Sequence, residues 1–231
     1  LFVGLPCQCS ALKCWIENNK IDDTNLYVID LICNGTPSEK FWMDYVNWLE
    51  KKYRSQLVDF SFRSKEDSSN PYMTQAVFLN GTIIKDKNTT AAYNQLFLKK
   101  LILRKGCFDC KFKSINRVGD FTIGDFWGLG NTKPFDYQTH GNVSVVLVNN
   151  NKGKYLLEVC SDKYVAIERT LEEAVAGNHN LKSPSFALHA EKFRSLYGMV
   201  DIQTALKKCL WKRRLKAPFI PFIQWIVSKT K

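Results

Sequence analysis

Two apolar runs near the start of the chain each break off into a short loop of glycine and proline that carries a cysteine. The first is Phe2-Val3, followed by Gly4-Leu5-Pro6-Cys7-Gln8. The second covers residues 26–32 and ends in Cys33-Asn34-Gly35-Thr36-Pro37-Ser38. Short runs rich in Val, Ile and Leu and closed by turn residues read as buried strands. A cysteine directly after each strand puts both thiols at strand ends, where open α/β sheets place their ligands. Glycine and proline let the backbone bend sharply there and turn amide N–H groups toward cluster sulfurs or a cofactor phosphate.

The remaining elements extend this α/β pattern. Residues 38–53 read as an amphipathic helix, because Phe41, Trp42, Tyr45, Val46 and Leu49 recur at the three- and four-residue spacing of a face packed on a sheet. Residues 58–62, 76–79 and 83–84 read as strands, the last two joined at Asn80-Gly81, a favoured hairpin turn. Ser68-Ser69-Asn70-Pro71 reads as a loop. Residues 91–103 predict a helix that leads through Arg104-Lys105-Gly106 to Cys107-Phe108-Asp109-Cys110. Strands are expected over 121–126 and 143–148, and helices over 154–160, 171–176 and 202–214. The expected fold class is α/β, mixed α+β in detail: a central mostly parallel or mixed sheet, flanking helices and a helical C-terminal portion. The expected division is an α/β domain over 1–150 and a mainly helical portion over 151–231, with a basic tail at 207–231. Leu1 is not an initiator Met and Leu1-Phe2-Val3-Gly4 reads as a strand entered midway, so the chain is expected to be a fragment truncated at its amino end.

Cysteine chemistry depends on what the core already supplies. With 231 residues, 45% of them hydrophobic and 13% aromatic, the chain buries enough apolar surface to fold without disulfide staples, which frees its eight cysteines for other work. An even cysteine count also suits a secreted disulfide framework, but that pattern belongs mainly to short chains. The Asn-x-Ser/Thr triplets at Asn34, Asn80, Asn88 and Asn142 are expected by chance in an Asn-rich sequence. No apolar stretch approaches the roughly 20 residues that span a bilayer. The expected setting is therefore soluble, cytoplasmic and reducing.

Taken alone, Cys107-Phe108-Asp109-Cys110 is weak evidence. Together with Cys7 and Cys33 it makes four thiolates. Four thiolates suit a 4Fe-4S cluster or a tetrahedral zinc ion, and spacing does not separate the two. Structural zinc sites usually draw on two close pairs, whereas two ligands here arrive singly from distant loops, which tilts the reading toward a cluster. Cys7, Cys9 and Cys14 also form a close group that would supply ligands in another combination. Cys160 and Cys209 lie in apolar helical surroundings and read as small buried residues.

The segment Gly119-Asp120-Phe121-Thr122-Ile123-Gly124-Asp125-Phe126-Trp127-Gly128 brackets a strand with glycines that permit close approach of a flat ligand. Trp127 would stack on a flavin ring and Asp125 would hydrogen-bond to ring or ribose; a tight, twisted core strand explains each residue equally well. The formal charge of +11, from 33 Lys and Arg against 22 Asp and Glu, attracts anions in general. Without zinc-finger spacing or an RNA-recognition aromatic motif, no nucleic acid is expected as partner. Trp211, Phe219, Phe222, Trp225 and Ile226 among the tail's Lys and Arg would suit peripheral membrane contact, but a basic helix capping the domain is the stronger expectation.

These motifs resemble the C-terminal region of the beta subunits of coenzyme F420 hydrogenases and dehydrogenases. Gly4-Leu5-Pro6-Cys7-Gln8 is similar to the family's Gly-Thr-Pro-Cys-Gln, and Asp30-Leu31-Ile32-Cys33-Asn34-Gly35-Thr36-Pro37-Ser38 to its Asp-Leu-x-Cys-His-Gly-x-Pro-Ser. Phe62-Arg63-Ser64-Lys65, Cys107 to Phe112, Arg117, the 119–128 segment and Gly141-Asn142-Val143-Ser144 continue the likeness to about residue 160. The resemblance implies an iron–sulfur flavoprotein oxidoreductase in which FAD exchanges hydride with a deazaflavin or another donor and passes single electrons to a 4Fe-4S cluster. It carries the cluster ligands over to Cys7, Cys33, Cys107 and Cys110. It places flavin contacts at Gly4, Pro6 and Gln8, at Asn34 and Gly35, and at Gly124, Asp125, Trp127 and Gly128. Partner subunits and a redox partner protein or ferredoxin are implied with it. Asn34 stands where the family has His, and the Gly-Trp after its Arg-x-Lys stretch is missing here, so F420 itself stays open as substrate. The alternative expectation is a non-catalytic module that binds zinc or a partner.

Overall fold

The computed structural model describes residues 1–64, 73–85, 90–138, 143–184 and 189–216, with the side chains of 90, 91 and 210–216 left aside. The expected loop at 68–71, Lys65, Asn88, Gly141, Asn142 and the tail beyond residue 216 lie outside the described residues. In chain order the elements are β1 (Phe2–Gly4), α1 (Pro6–Asn18), β2 (Val28–Leu31), α2 (Glu39–Tyr53), β3 (Leu57–Ser61), β4 (Gln75–Phe78), β5 (Ile83–Ile84) and α3 (Thr90–Leu98). They continue with β6 (Phe121–Asp125), β7 (Ser144–Val148), α4 (Asn151–Val159), α5 (Leu171–Gly177), α6 (Ala190–Leu196) and α7 (Ile202–Lys216). The fold is mixed α/β, and every described element after β7 is helical.

Two compact units share the chain, and neither is continuous in sequence: Leu1–Asn34 with Gly106–Ser185, and Gly35–Lys105 with Phe186–Lys231. The first contains a four-stranded sheet in the order β1-β2-β6-β7. β1, β2 and β6 are parallel, with Gly4 opposite Asp30 and Leu31 opposite Ile123, so their carboxyl ends lie along one edge. β7 closes the sheet antiparallel to β6. α1 is the crossover between β1 and β2, as parallel strands require. Sequence patterning did not single it out, because its polar and apolar residues form only a weak stripe; the legible signal was Pro6, a favoured first residue of a helix.

The second unit is built on an antiparallel meander, β3-β4-β5, whose turn at Asn80-Gly81 has Gly81 at φ +81°. α2 starts where Ser38 accepts a hydrogen bond from the Phe41 amide at 3.2 Å and stops at Arg54 in the left-handed region. Its stripe of Phe41, Tyr45 and Leu49 is fully enclosed by Phe78, Leu96, Leu101 and Phe193. Trp42, Phe60, Phe62 and Tyr93 extend that core in tilted and edge-on ring contacts. The helix expected over 91–103 ends at Leu98, because Lys100 turns left-handed at φ 61° and Leu101, Ile102 and Leu103 enter the core in non-helical backbone. Leu49→Ala is expected to cost about 2–5 kcal/mol, read as a lower denaturant midpoint with unchanged slope.

Candidate functional site

The candidate site stands on the carboxyl edge of the parallel strands, and all four expected ligand cysteines belong to the same unit. Cys7 is exposed in the first turn of α1, where open backbone N–H groups favour negative charge. That turn is fixed by the Leu5 amide, which donates to Gln8 Oε1 at 2.9 Å. Buried Pro6 sits between them. Cys33 is half-buried just beyond β2, after the Ile32 amide has extended the ladder to the Ile123 carbonyl at 2.8 Å. Cys107 and Cys110 are half-buried in a 3-10 turn and the bend that follows it.

Lys113 ties these segments together. It is 4% exposed; its amide donates to the Cys110 carbonyl at 3.2 Å and its ammonium to the Asn34 carbonyl at 3.0 Å. Burial pulls the amine below its ordinary lysine range, and the charges of Cys33, Cys110 and Cys107 oppose that pull. Three of the four cysteines therefore lie within electrostatic reach of one buried amine. Cys7 acts electrostatically on Cys9, two residues on in α1. Among the described residues, no group of three His, Cys, Asp or Glu side chains is close enough to hold a metal ion.

The loop of residues 107–118 is bolted to β2 by a buried ion pair. Asp30 is fully buried and Arg117 nearly so, with Nη2 to Oδ1 at 2.6 Å. Arg117 also donates to the carbonyls of Leu31, Phe112 and Ser114 at 3.0, 2.8 and 3.2 Å. Asp30 completes its acceptor set with the amides of Val118 and Gly119 and the Thr122 hydroxyl. Gly119 is needed for this seat, since a Cβ there would lie 2.7 Å from the Asp30 nitrogen and 2.5 Å from the Phe121 carbonyl oxygen. From α1, Lys13 donates to the Val118 carbonyl at 2.6 Å.

Cys9 and Cys14 divide. Cys9 is buried and donates weakly to the Ile29 carbonyl at 3.6 Å, its thiol pushed up by burial and then by the Asp30 carboxylate; Cys14 is exposed. Cys160 ends α4, and Cys209 is buried in the core of the second unit. All eight cysteines are free thiols.

Among the expected flavin contacts, Asp125 is exposed at the end of β6 and Trp127 is 42% exposed, its ring stacked on His179 at a centroid distance of 6.0 Å. A Cβ on Gly124 would meet Ile32 at 2.9 Å, and one on Gly128 would meet the Gly177 Cα at 2.9 Å, so both glycines make close contacts within their own unit. Gly35, at φ +120°, packs on Leu103 in the second unit. Glu173, paired with Arg169 at 2.7 Å, accepts from the Gly130 amide, and Arg169 holds the carbonyls of Lys133 and Pro134. Sequence reasoning missed Lys113 and His179 altogether. It noted Asp30 and Arg117 only inside motifs, since a pair 87 positions apart leaves no local signature.

The family model for the carboxy terminus of the coenzyme F420 hydrogenase/dehydrogenase beta subunit matches residues 1–173. The chain belongs to that family. Its match covers the whole Cys7, Cys33, Cys107 and Cys110 edge and ends within α5. Among solved structures, a chain from the F420-reducing NiFe hydrogenase complex of Methanosarcina barkeri, studied by xenon derivatization, is similar at 14% identity with a TM-score of 0.37. The alignment covers 94% of this chain and 61% of that one, so this family member spans less than two thirds of that neighbour. No curated protein matches the sequence. No helix among the described residues is long and apolar enough to cross a membrane.

Proposed function

We propose that this chain is the cluster-bearing part of an iron–sulfur flavoprotein oxidoreductase, with Cys7, Cys33, Cys107 and Cys110 as ligands of one 4Fe-4S cluster. What supports the reading is that the buried Lys113 ties the Asn34 carbonyl, next to Cys33, to the Cys110 carbonyl, in the same unit whose sheet edge presents Cys7. The donor set fits the group: it is all sulfur, and thiolate-ligated iron clusters carry negative charge that a buried cation offsets. When bound, the cluster supplies one-electron transfer, and a flavin beside it converts that to two-electron hydride chemistry.

The chain's own residues hold and orient. Gln8 fixes the α1 turn that presents Cys7, Arg117 and Asp30 set the height of the Cys107 to Cys110 loop over β2, and Lys113 joins that loop to Asn34. FAD would be held by the first unit's expected contacts, Gly4, Pro6, Gln8, Asn34, Gly124, Asp125, Trp127 and Gly128, with the exposed face of Trp127 available to an isoalloxazine ring. F420 or another hydride donor would reduce the flavin, and a ferredoxin, redox protein or partner subunit would take the electrons.

Anaerobic reconstitution with iron and sulfide is expected to give a brown protein with broad visible absorption and stoichiometric iron and sulfide. Cys33→Ser and Cys110→Ser should each abolish that absorption. A colourless protein that binds zinc at these cysteines and takes up neither iron nor flavin would favour a non-catalytic zinc module and end the proposal.

A further inference from the structure

We infer that Lys113 is the charge-compensating residue of the cluster, a fixed buried cation that makes the reduced cluster easier to form; the inference rests on the proposed ligation. Its geometry is the argument. The side chain is enclosed, and its ammonium is anchored on the Asn34 carbonyl, the residue next to Cys33. Its own backbone amide is anchored on Cys110. The cation is thereby pinned between the β2 ligand and the loop ligands, and it cannot swing out to water without giving up the Asn34 contact.

An enclosed ammonium is costly unless negative charge stands close to it. Here the ammonium is held on the residue next to Cys33 and the lysine's backbone on Cys110, so both ligand segments stand close to the charge. A cluster held by these cysteines would gain one negative charge on accepting an electron from the proposed reduced flavin or, in the titration, from a chemical mediator, with no bond to Lys113 formed or broken. A fixed positive charge nearby favours that more negative state through Coulomb attraction, which is strong in a site shielded from solvent. Lys113 therefore favours the reduced form without touching iron.

The test is a mediated spectroelectrochemical titration of reconstituted wild type, Lys113→Arg, Lys113→Met and Lys113→Gln, with iron content, circular dichroism and the reduced-state electron paramagnetic resonance spectrum recorded for each. Met and Gln are expected to disfavour reduction about tenfold, which for a one-electron couple is about 59 mV more negative. Arg should stay close to wild type. Folded Met and Gln variants that lose the cluster while Arg keeps it would also support the inference. Loaded Met and Gln variants with an unmoved potential overturn it alone. Loss of the cluster from all three folded variants overturns it too, in favour of a packing role for the lysine stem. A wild-type chain that takes zinc and no iron overturns the ligation and this inference together.

Discussion

Arg117→Ala is expected to destabilise the first unit by about 3–5 kcal/mol, the cost of leaving a buried charge without its partner. The substitution strands the fully buried Asp30 carboxylate and also orphans the carbonyls of Leu31, Phe112 and Ser114. Asp30→Asn is expected to be similarly severe, because it leaves the Arg117 guanidinium uncompensated and presents an amide group toward the Val118 and Gly119 N–H donors. Equilibrium urea unfolding of the single variants and the double variant checks both. The double variant should lose markedly less than the sum of the singles, since the two losses share one interaction. Additive losses would show that the pair does not fasten the loop to β2. If the proposed cluster is reconstituted, its retention is a second readout, because residues 107–118 hang from this pair, and iron should leave the variants faster than wild type under a chelator.

The second large effect is expected at Gly177, at the end of α5. A Cβ there would sit 1.6 Å from the Trp127 carbonyl oxygen and 2.5 Å from its carbon, a collision of backbone with side chain that no rotamer relieves. Gly177→Ala should cost about 3 kcal/mol and push the Trp127 backbone off α5, breaking the stack with His179. Tryptophan fluorescence and thermal unfolding measure both consequences. Gly106→Ala is the control: nothing lies within 4 Å of the added carbon and its φ is ordinary, so its stability should stay within about 0.5 kcal/mol of wild type. A Gly177 variant that behaves like the control would mean that α5 and the end of β6 move freely past one another.

What could be read from the sequence was what local pattern encodes. α2 was legible because Ser38 caps it and its apolar residues recur at the helical period, and the meander was legible because Asn80-Gly81 fixes its turn. The third helix was read too long because Leu101, Ile102 and Leu103 continue its apolar content, while the event that ends it is the left-handed turn at Lys100, a residue with no preference for that conformation. α6 was missed because seven residues carry too little period to register. The cysteines were placed at strand ends correctly, since β1 and β2 are followed at once by Pro6-Cys7 and by Ile32-Cys33. What stands behind them was hidden. Lys113 reads as one more surface lysine in a strongly basic chain, and only its burial and its bonds to the Asn34 and Cys110 carbonyls distinguish it.

The division of the chain also orders its assembly. β1, α1 and β2 leave the ribosome well ahead of β6, the neighbour that covers the second edge of β2, because the whole 35–105 insertion is made in between. Until then the nascent chain carries an unpaired strand edge with Cys7 and Cys33 at its end, open to wrong pairing and to oxidation. Pairing across so long a loop is slow, which prolongs that exposure. On the proposed ligation, loading of the four cysteines would be a late event, one that waits for residue 110 and for Arg117 to find Asp30.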